Sequence, residues 1–510
     1  MRILGIASQF HDASVTVLQD GDITFAAHAE RYSKIKNDPF INQKLISEAL
    51  RGGKPDVIAF HEKSWAKRLR NIQGRSWHSF KEPTIQQWIR DFYPELHNIP
   101  QVSYWHHETH MAAGVLTSPF EECAVMVIDA IGEFDTATIW HWIGGKMIKK
   151  HTVRFPNSLG LYYSAVTAHV GLKPMEDEYI LMGMAAYGNP HRYADNIERE
   201  FFKGPDWKLR TRKNLQRGID PKFLNRHLYR DSDLDEWGHS PIDYDIAASA
   251  QAVVERKIYA YAKKAQELTG SKNLVFMGGV ALNCVANSQL YNIFDRVHIM
   301  PNPGDAGSSL GAAALHHYKL TGKKVNRFSP YLGANIPGKY PVQKALTSAL
   351  AGEIFGIANG RAEFGPRALG NRSLCADPRG SEIKDRLNVI KKRQKFRPFA
   401  PMILEEHVND FFEMPAGITN APYMQYVARC KYPETFPAIV HADGTSRVQT
   451  VNENDHPKLY ELLTRFYKAT GCPMLVNTSL NIKGKPIVND IKDAWEFQKK
   501  YKVPVHTTDT

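Results

Sequence analysis

Two distant segments of the chain repeat one pattern of apolar runs and tight turns, and this repeat constrains the fold more than any other feature. The first opens the sequence: RILGIAS (Arg2–Ser8), a polar loop from Gln9 to Asp12, ASVTVLQ (Ala13–Gln19), a turn at Asp20-Gly21, and DITFAAH (Asp22–His28). The second starts with CAVMVID (Cys123–Asp129) and the acidic loop AIGEFD. TATIWHWI (Thr136–Ile143), a Gly144-Gly145 turn and KMIKKHTV (Lys146–Val153) follow. Asp-Gly and Gly-Gly between apolar runs are strong hairpin signals, because both central residues of the favoured turn need positive φ.

Strand, acidic loop, strand, tight turn and strand, present twice, predict a duplicated α/β fold of the actin and Hsp70 ATPase type. The two loops of that fold face each other across a nucleotide cleft. Two unrelated hairpins are the plainer alternative. With 510 residues the chain exceeds one compact core and predicts roughly two to four domains. Helices are expected around Phe40–Arg51 and Ala247–Leu268, and a surface excursion at His191–Gly238. The Pro-, Gly- and Asn-rich segment Asn326–Tyr340 reads as a linker and places the domain boundary, giving residues 1–327 and 328–510.

Hydrophobic residues at 43% and charged residues at 23% exclude wholesale disorder. Five cysteines without a Cys-x-x-Cys pair argue against a disulfide framework or zinc knuckle, and a reducing cytoplasm fits them. Ser8, Gln9, His11 and Asp12 break the first apolar run, so it reads as a strand and not a signal peptide. No apolar run approaches the ~20 residues that span a bilayer, so no membrane association is expected. The net charge of +12 favours an anionic partner without naming it. Oligomeric state is not legible.

The sharpest metal signal is HHETHMAAG, His106–Gly114. His106 and His110 are one helical turn apart, so both imidazoles project from one face, and neutral imidazole suits iron or zinc. Two histidines alone are as well explained by an ordinary helix surface, and His107 points elsewhere. Asp129 ends a buried-type strand and opens the loop that holds Gly132 and Glu133. Asp305 lies in PNPGDAGSSLGAA, a glycine turn leading into a small-residue helix whose first N–H groups suit phosphate. Aspartates at turns are more often caps than ligands. Four candidate ligands at glycine loops are harder to dismiss. Cofactor contacts are expected from Gly132, Glu133, Gly278, Gly279, Asn283 and Gly304.

The second half concentrates arginines in turn motifs. GRAEFGPRALGNRS (Gly360–Ser373), FRPFAP (Phe396–Pro401), HADGTSRVQT (His441–Thr450) and LVNTSLNIKGKPIV (Leu475–Val488) carry Arg361, Arg367, Arg372, Arg397 and Arg447 beside Asn477 and Ser479. Guanidinium forks bind phosphate or carboxylate in two-pronged fashion. A solvated arginine face explains some of them, but not their place inside turns.

HDAS, HHETH, the ID-x-x-GE loop, SLGLYYSAV, MGGVALNCVAN, GDAGSSLGAA, EFGPRALGNRS, FRPFAP and NTSLN together resemble the NodU/CmcH-type O-carbamoyltransferases, in order and over nearly the whole chain. The resemblance implies a TsaD-like domain of the duplicated ATPase fold at 1–327 and an α+β YrdC-like domain at 328–510. It implies that carbamoyl phosphate and ATP, with Mg2+ accompanying ATP, form carbamoyl-adenylate in the second domain. The carbamoyl group then passes to an acceptor hydroxyl in the first. His106, His110, Asp129 and Asp305 become ligands of a divalent metal, with Fe2+ as first candidate. His11 becomes the base on the acceptor, and Lys36 contacts the intermediate. Arg367, Arg397, Arg447 and Ser479 hold carbamoyl phosphate and the adenylate, with Asn477 nearby. Where the family reads GEYKLMGLAPYG this chain has Ile180 for lysine and Ala186 for proline.

Two other functions compete: a threonylcarbamoyl-type transferase acting on tRNA, and a nucleotide-binding regulatory protein without turnover. EFGPRALGNRS speaks against the first, and retention of the ligand and arginine sets against the second. For the acceptor, the net charge and the stretch His61–Lys81 favour a hydroxymethylated pyrimidine in DNA or its nucleotide. That stretch interleaves Lys63, Lys67, Arg68, Arg70 and Arg75 with Trp65, Trp77 and Phe80. KKRQKFR (Lys391–Arg397) adds a second basic run. An antibiotic or sugar hydroxyl is the alternative, with the basic stretch merely covering a surface.

Overall fold

The computed structural model describes residues 1–73, 83–228 and 234–509. It forms two compact units, Met1–Ile58 with Lys323–Thr510, and Ala59–Gly322. Arg75, Trp77, Phe80 and Lys81 of the basic aromatic stretch lie outside the described residues.

In the first unit, β1 (Arg2–Ala7), β2 (Ser14–Gln19) and β3 (Asp22–His28) form an antiparallel meander, with Arg2 opposite Gln19 and Ala7 opposite Ser14. The Asp20-Gly21 turn has φ of 49° and 94°, the positive pair that such a two-residue hairpin needs. Helix α1 (Gln43–Ala49) is capped by Asn42, whose side chain accepts from Leu45 N at 3.1 Å. β4 (Val57–Phe60) takes its place beside β1, giving the order β3-β2-β1-β4, and carries the chain into the second unit.

The second unit contains helix α2 (Ser64–Gln73), β5 (Gln101–Ser103), helix α3 (His106–Thr117), β6 (Cys123–Ile128), β7 (Asp135–Ile143) and β8 (Lys146–Arg154). Helix α4 (Leu159–His169), the long α5 (Pro241–Thr269), β9 (Asn273–Met277), β10 (Arg296–His298) and helix α6 (Ser308–Thr321) follow. Its five-stranded sheet runs β10-β9-β6-β7-β8. β6, β7 and β8 repeat the antiparallel meander, turned at Gly144 and Gly145 (φ 54° and 71°), and β9 lies parallel to β6. The duplication legible in the sequence is thus present in the strands: each meander takes the fourth strand on the free side of its first. All residues of β6 are buried, as a central strand requires.

Small residues let α3 and α6 meet backbone to backbone. A Cβ on Gly311 of α6 would stand 1.9 Å from Thr109 O of α3, while one on Gly114 of α3 would stand 2.5 Å from Val275 Cγ1 of β9. This close approach brings the helix of His106 and His110 against the helix that follows Asp305. The segment read as a surface excursion is partly interior. Ile197, Phe201, Phe202 and Leu215 are buried, and Lys257 of α5 donates to Glu198 (2.5 Å) and Asp206 (2.6 Å). Its charges face a buried lysine, which composition could not reveal.

Residues 323–509 add an α+β layer to the first unit. β11 (Tyr331–Ile336) pairs with β13 (Gly360–Glu363), so the expected linker contains a strand. β12 (Phe355–Ala358), β14 (Arg372–Ala376), β15 (Ala400–Leu404), β19 (Gln449–Val451), β20 (Met474–Ser479) and β21 (Val505–His506) form a six-stranded sheet of order β19-β15-β20-β14-β12-β21. β16 (Phe412–Glu413), β17 (Val427–Cys430) and β18 (Thr445–Arg447) make a small antiparallel sheet. Helices α7 (Glu382–Lys391), α8 (Pro457–Thr470) and α9 (Ile491–Tyr501) complete the layer, with Leu459, Leu462, Leu463 and Phe466 of α8 buried in its core. All five cysteines are free and buried. No helix among the described residues is long and apolar enough to cross a membrane.

His456 caps α8 in its neutral form. Nδ1 accepts from Leu459 N at 3.1 Å, and Nε2 lies 2.9 Å from Asn371 Oδ1, to which it donates. Burial holds its pKa down at about 4. An unfolded imidazole titrates near 6.5, so this cap's contribution is complete above that value. It is lost as pH falls through 4, by at most about 3 kcal/mol. His28 and His441, also held down to about 4 by burial, add to the same acid window. Urea midpoints measured from pH 7 to pH 4 should therefore fall less steeply for His456→Gln than for the parent chain. An unchanged slope would remove His456 from this role.

Candidate metal centre and anion-binding residues

His106, His110, Asp129 and Asp305 are all buried, and one ligand atom from each lies within 4.8 Å of all the others. His106 Nε2 is 3.0 Å from His110 Nε2 and 3.0 Å from Asp129 Oδ2. Asp305 Oδ1 is 3.3 Å from both imidazole nitrogens, and Asp129 Oδ2 is 3.5 Å from His110 Nε2. Ligands placed tetrahedrally about 2.1 Å from an ion are about 3.4 Å apart, so the donor set has the size of a metal cage.

Its charge fits as well. Burial opposes charge on His106, yet Asp305 and Asp129 carry its pKa well above the ordinary value, and His110 shifts the same way. Burial works against both aspartates, yet the two imidazoles hold them in the ionised range. Two buried carboxylates thus demand positive charge between two imidazoles, which a divalent cation supplies.

The glycine loops aim these ligands. Gly278 follows β9 at φ 91°, where a Cβ would stand 2.2 Å from Ile128 O, so only glycine turns the chain here. Gly279 N then donates to Asp129 Oδ1 at 3.1 Å, leaving Oδ2 toward the imidazoles. Gly304 O accepts from Gly307 N at 2.9 Å in the turn that presents Asp305. At Gly132 a Cβ would press on Asp135 O and His107 Cδ2, both 3.1 Å away. Ser158 Oγ, at the start of α4, donates to Ala130 O at 2.6 Å and ties down the acidic loop.

Glu133 and Asn283, expected to contact cofactor, make internal bonds. The Glu133 carboxylate accepts from His106 N at 3.1 Å through both oxygens and from Lys63 N at 2.7 Å, capping the first turn of α3. Asn283 exchanges amide hydrogen bonds of 3.0 Å with Gln251, and its Oδ1 accepts from Ala286 N at 3.1 Å. His107 sits 3.0 Å from Thr138 Oγ1 and takes no part in the cage. In the basic stretch, Lys67 pairs with buried Glu62 at 2.7 Å, and Arg70 is buried in the field of Glu62 and Glu133. Those two cations serve the fold.

In the first unit, His11 Nδ1 lies 3.2 Å from Asp12 Oδ2, and Lys36 pairs with buried Glu30 at 2.8 Å. The loop is held by Gln9 N donating to Pro39 O (2.7 Å) and Ala13 N to Asp38 O (2.8 Å), with Gln9 and Asp12 at positive φ. The sheet of the same unit carries the other set. Asn477 and Ser479 lie on β20, and Asn477 Nδ2 donates to Gln449 Oε1 (2.6 Å) and to Ala368 O (2.9 Å), next to Arg367. One oxygen of Glu363 gathers the N–H groups of Leu369 (2.7 Å), Asn371 (2.9 Å) and Arg372 (3.3 Å), which shapes the loop bearing Arg367.

The arginines divide. Arg372 is fully buried and donates to the carbonyls of Asn359, Asn371, Ala334, Gly360 and Asn489, while Arg361 donates to those of Thr24, Leu332 and Gly333. These two knit loops together. Arg397 lies near Gln394, its Nη1 3.5 Å from Oε1. Arg447 ends β18, and its buried Nε has no hydrogen-bond partner among the described residues.

Comparison with known proteins adds the family. The carbamoyltransferase N-terminus family matches residues 61–314 and the carbamoyltransferase C-terminus family residues 347–509. The chain is 36% identical to nodulation protein NolO of Bradyrhizobium diazoefficiens, over 76% of this chain and 75% of that one. It is 32% identical to an uncharacterized Synechocystis protein, over 97% and 93% of the two chains. It is 30% identical to the 3'-hydroxymethylcephem-O-carbamoyltransferase of Streptomyces clavuligerus, over 95% and 93%. The chain belongs to the NodU/CmcH-type carbamoyltransferase family.

Sequence motifs missed one member of this carbamoyltransferase's cationic set. Lys391, the last residue of α7, is buried, and its ammonium donates to Ser479 O, Ser479 Oγ (3.2 Å) and Asn481 Oδ1 (2.6 Å). Burial lowers its pKa well below the lysine range, and Arg393 and Arg397 push it further down. A buried lysine in the field of two half-buried arginines is a setting that suits an anion. The signal was present in KKRQKFR, but a charge run does not tell which lysine turns inward. Asp12 and Glu30, which hold His11 and Lys36, were missed for the same reason.

Proposed function

We propose that this carbamoyltransferase is ATP-dependent and carries carbamoyl to an acceptor hydroxyl through carbamoyl-adenylate. Residues 328–510 form the adenylate and residues 1–327 perform the transfer. The observation that carries this is buried Lys391, whose ammonium lies on Ser479 and Asn481 in the field of Arg393 and Arg397, distinct from the His/Asp cage. An anionic substrate satisfies the first, and a divalent ion the second.

In the adenylating half-reaction, carbamoyl phosphate loses phosphate to water and leaves carbamate. A carbamate oxygen then attacks the α-phosphorus of ATP, giving carbamoyl-adenylate and pyrophosphate. Arg367, Arg397, Arg447, Lys391 and Ser479 hold the phosphate and carboxylate oxygens, with Asn477 keeping the Arg367 loop against β20. In the transfer half-reaction the acceptor oxygen attacks the carbamoyl carbon and AMP leaves. His11, with its Nδ1–H donated to Asp12, accepts the acceptor's proton at Nε2, and Lys36 contacts the intermediate's phosphate. The cage residues would hold a divalent metal, Fe2+ first among candidates, which when bound polarises a phosphate or carbonyl oxygen.

The acceptor we propose is a hydroxymethyl group on a heterocyclic ring. Two related enzymes are named for such a group, on a cephem. The net charge of +12 makes a hydroxymethylated pyrimidine, in DNA or as its nucleotide, the first to test. Purified enzyme with ATP and carbamoyl phosphate is offered hydroxymethyldeoxycytidine monophosphate, hydroxymethylcytosine DNA, a hydroxymethylcephem and an aminoglycoside. Carbamoylation of the ring-borne hydroxymethyl groups supports this acceptor class, and transfer to the aminoglycoside alone refutes it.

A further inference from the structure

Trp65 and Trp105 stand 57% and 41% exposed, with ring centroids 5.8 Å apart and planes at 73°. Neither indole has another partner among the described residues. Trp105 directly precedes the metal-site His106, so their Cα atoms are about 3.8 Å apart. Leu69, one turn beyond Trp65 on α2, is 49% exposed and extends the apolar face.

The pair is held on the same supports as the metal cage. Glu133 accepts from Lys63 N (2.7 Å) and His106 N (3.1 Å), so one carboxylate fixes the chain just before Trp65 and just after Trp105. Tyr104 is fixed by α6, its hydroxyl 2.8 Å from His316 Nδ1 and its ring 4.5 Å under Lys319 Nζ. Large apolar side chains left in water on a rigid backbone mark a binding surface. Lys67, two residues beyond Trp65, already pairs with Glu62, so what the pair itself offers is ring faces.

We propose that Trp65 and Trp105 form an aromatic platform that binds the planar ring of the acceptor beside the metal cage. This rests on the acceptor class proposed above. The electron-rich indole faces stack on a pyrimidine ring.

Isothermal titration calorimetry with hydroxymethyldeoxycytidine monophosphate tests it on the full-length protein, its W65A and W105A variants, and W65F and W105F. Saturable binding by the parent, about tenfold weaker in each alanine variant and largely restored by phenylalanine, is expected. Unfolding midpoints within about 1 °C of the parent show that the exposed positions were changed without loss of fold. Equal affinity in all five proteins, or no binding by the parent, overturns the platform. Transfer measured in parallel separates the two ideas. Unaltered affinity with intact transfer to the nucleotide rejects only the platform. Binding that depends on the tryptophans without any transfer to the nucleotide rejects only the acceptor assignment.

Discussion

His110→Ala and Asp305→Ala proteins bind the divalent metal at least about 100-fold more weakly than the parent and lose carbamoyl transfer. Removing even a group that merely orients a ligand costs about 10- to 100-fold in affinity, so a ligand itself costs at least the upper figure. The physical reason is the balance of charge in the cage. Asp129 and Asp305 are both buried and both held ionised, with Asp305 Oδ1 3.3 Å from each imidazole nitrogen. Taking away Asp305 leaves three donors and one negative charge, too few to repay the desolvation of a divalent ion. Metal content by inductively coupled plasma mass spectrometry, with circular dichroism to confirm folding, checks this. Full metal content and full activity in both variants would reduce the four residues to a buried hydrogen-bond cluster.

Arg447→Ala, Ser479→Ala and Lys391→Met each lower carbamoyl-phosphate-dependent pyrophosphate release by about 100- to 1000-fold, the usual cost of removing one donor aimed at transition-state charge. Lys391 has the largest stake, since its ammonium spans Ser479 and Asn481 from inside the protein. On the proposed division of roles, His11→Ala loses transfer to the acceptor and leaves adenylate formation, because His11 with Asp12 acts only on the acceptor's proton. The readouts are pyrophosphate release for adenylation and product mass for transfer. If His11→Ala blocks pyrophosphate release as completely as Arg447→Ala, the two half-reactions share one site.

Period and turn chemistry made the architecture legible. Asp20-Gly21 and Gly144-Gly145 take the positive φ values that their residue types imply, and the two meanders follow. The four candidate metal-site residues were legible because His106 and His110 share one helix face and Asp129 and Asp305 stand in glycine-containing loops at element ends. What hydrogen bonds do inside the protein was not. Glu133 sits in the loop after Asp129 as a cofactor contact would, yet its carboxylate faces backbone N–H groups of Lys63 and His106. Asn283 meets Gln251, a residue remote in sequence. Arg372 and Arg367 share one motif, but Arg372 turns inward onto five carbonyls. The strand Tyr331–Ile336 hid among Pro, Gly and Asn because its pairing partner lies beyond Phe355–Ala358. Ile180, where the family carries lysine, is fully buried, so an apolar side chain suits its surroundings here.

The central claim is tested most directly by following AMP and product together in one reaction of enzyme, ATP, carbamoyl phosphate and hydroxymethyldeoxycytidine monophosphate. Mass spectrometry should show one carbamoyl group on the acceptor for each AMP released, with no AMP formed when carbamoyl phosphate is omitted. A carbamoylated product formed without ATP, or AMP release indifferent to carbamoyl phosphate, would contradict transfer through carbamoyl-adenylate.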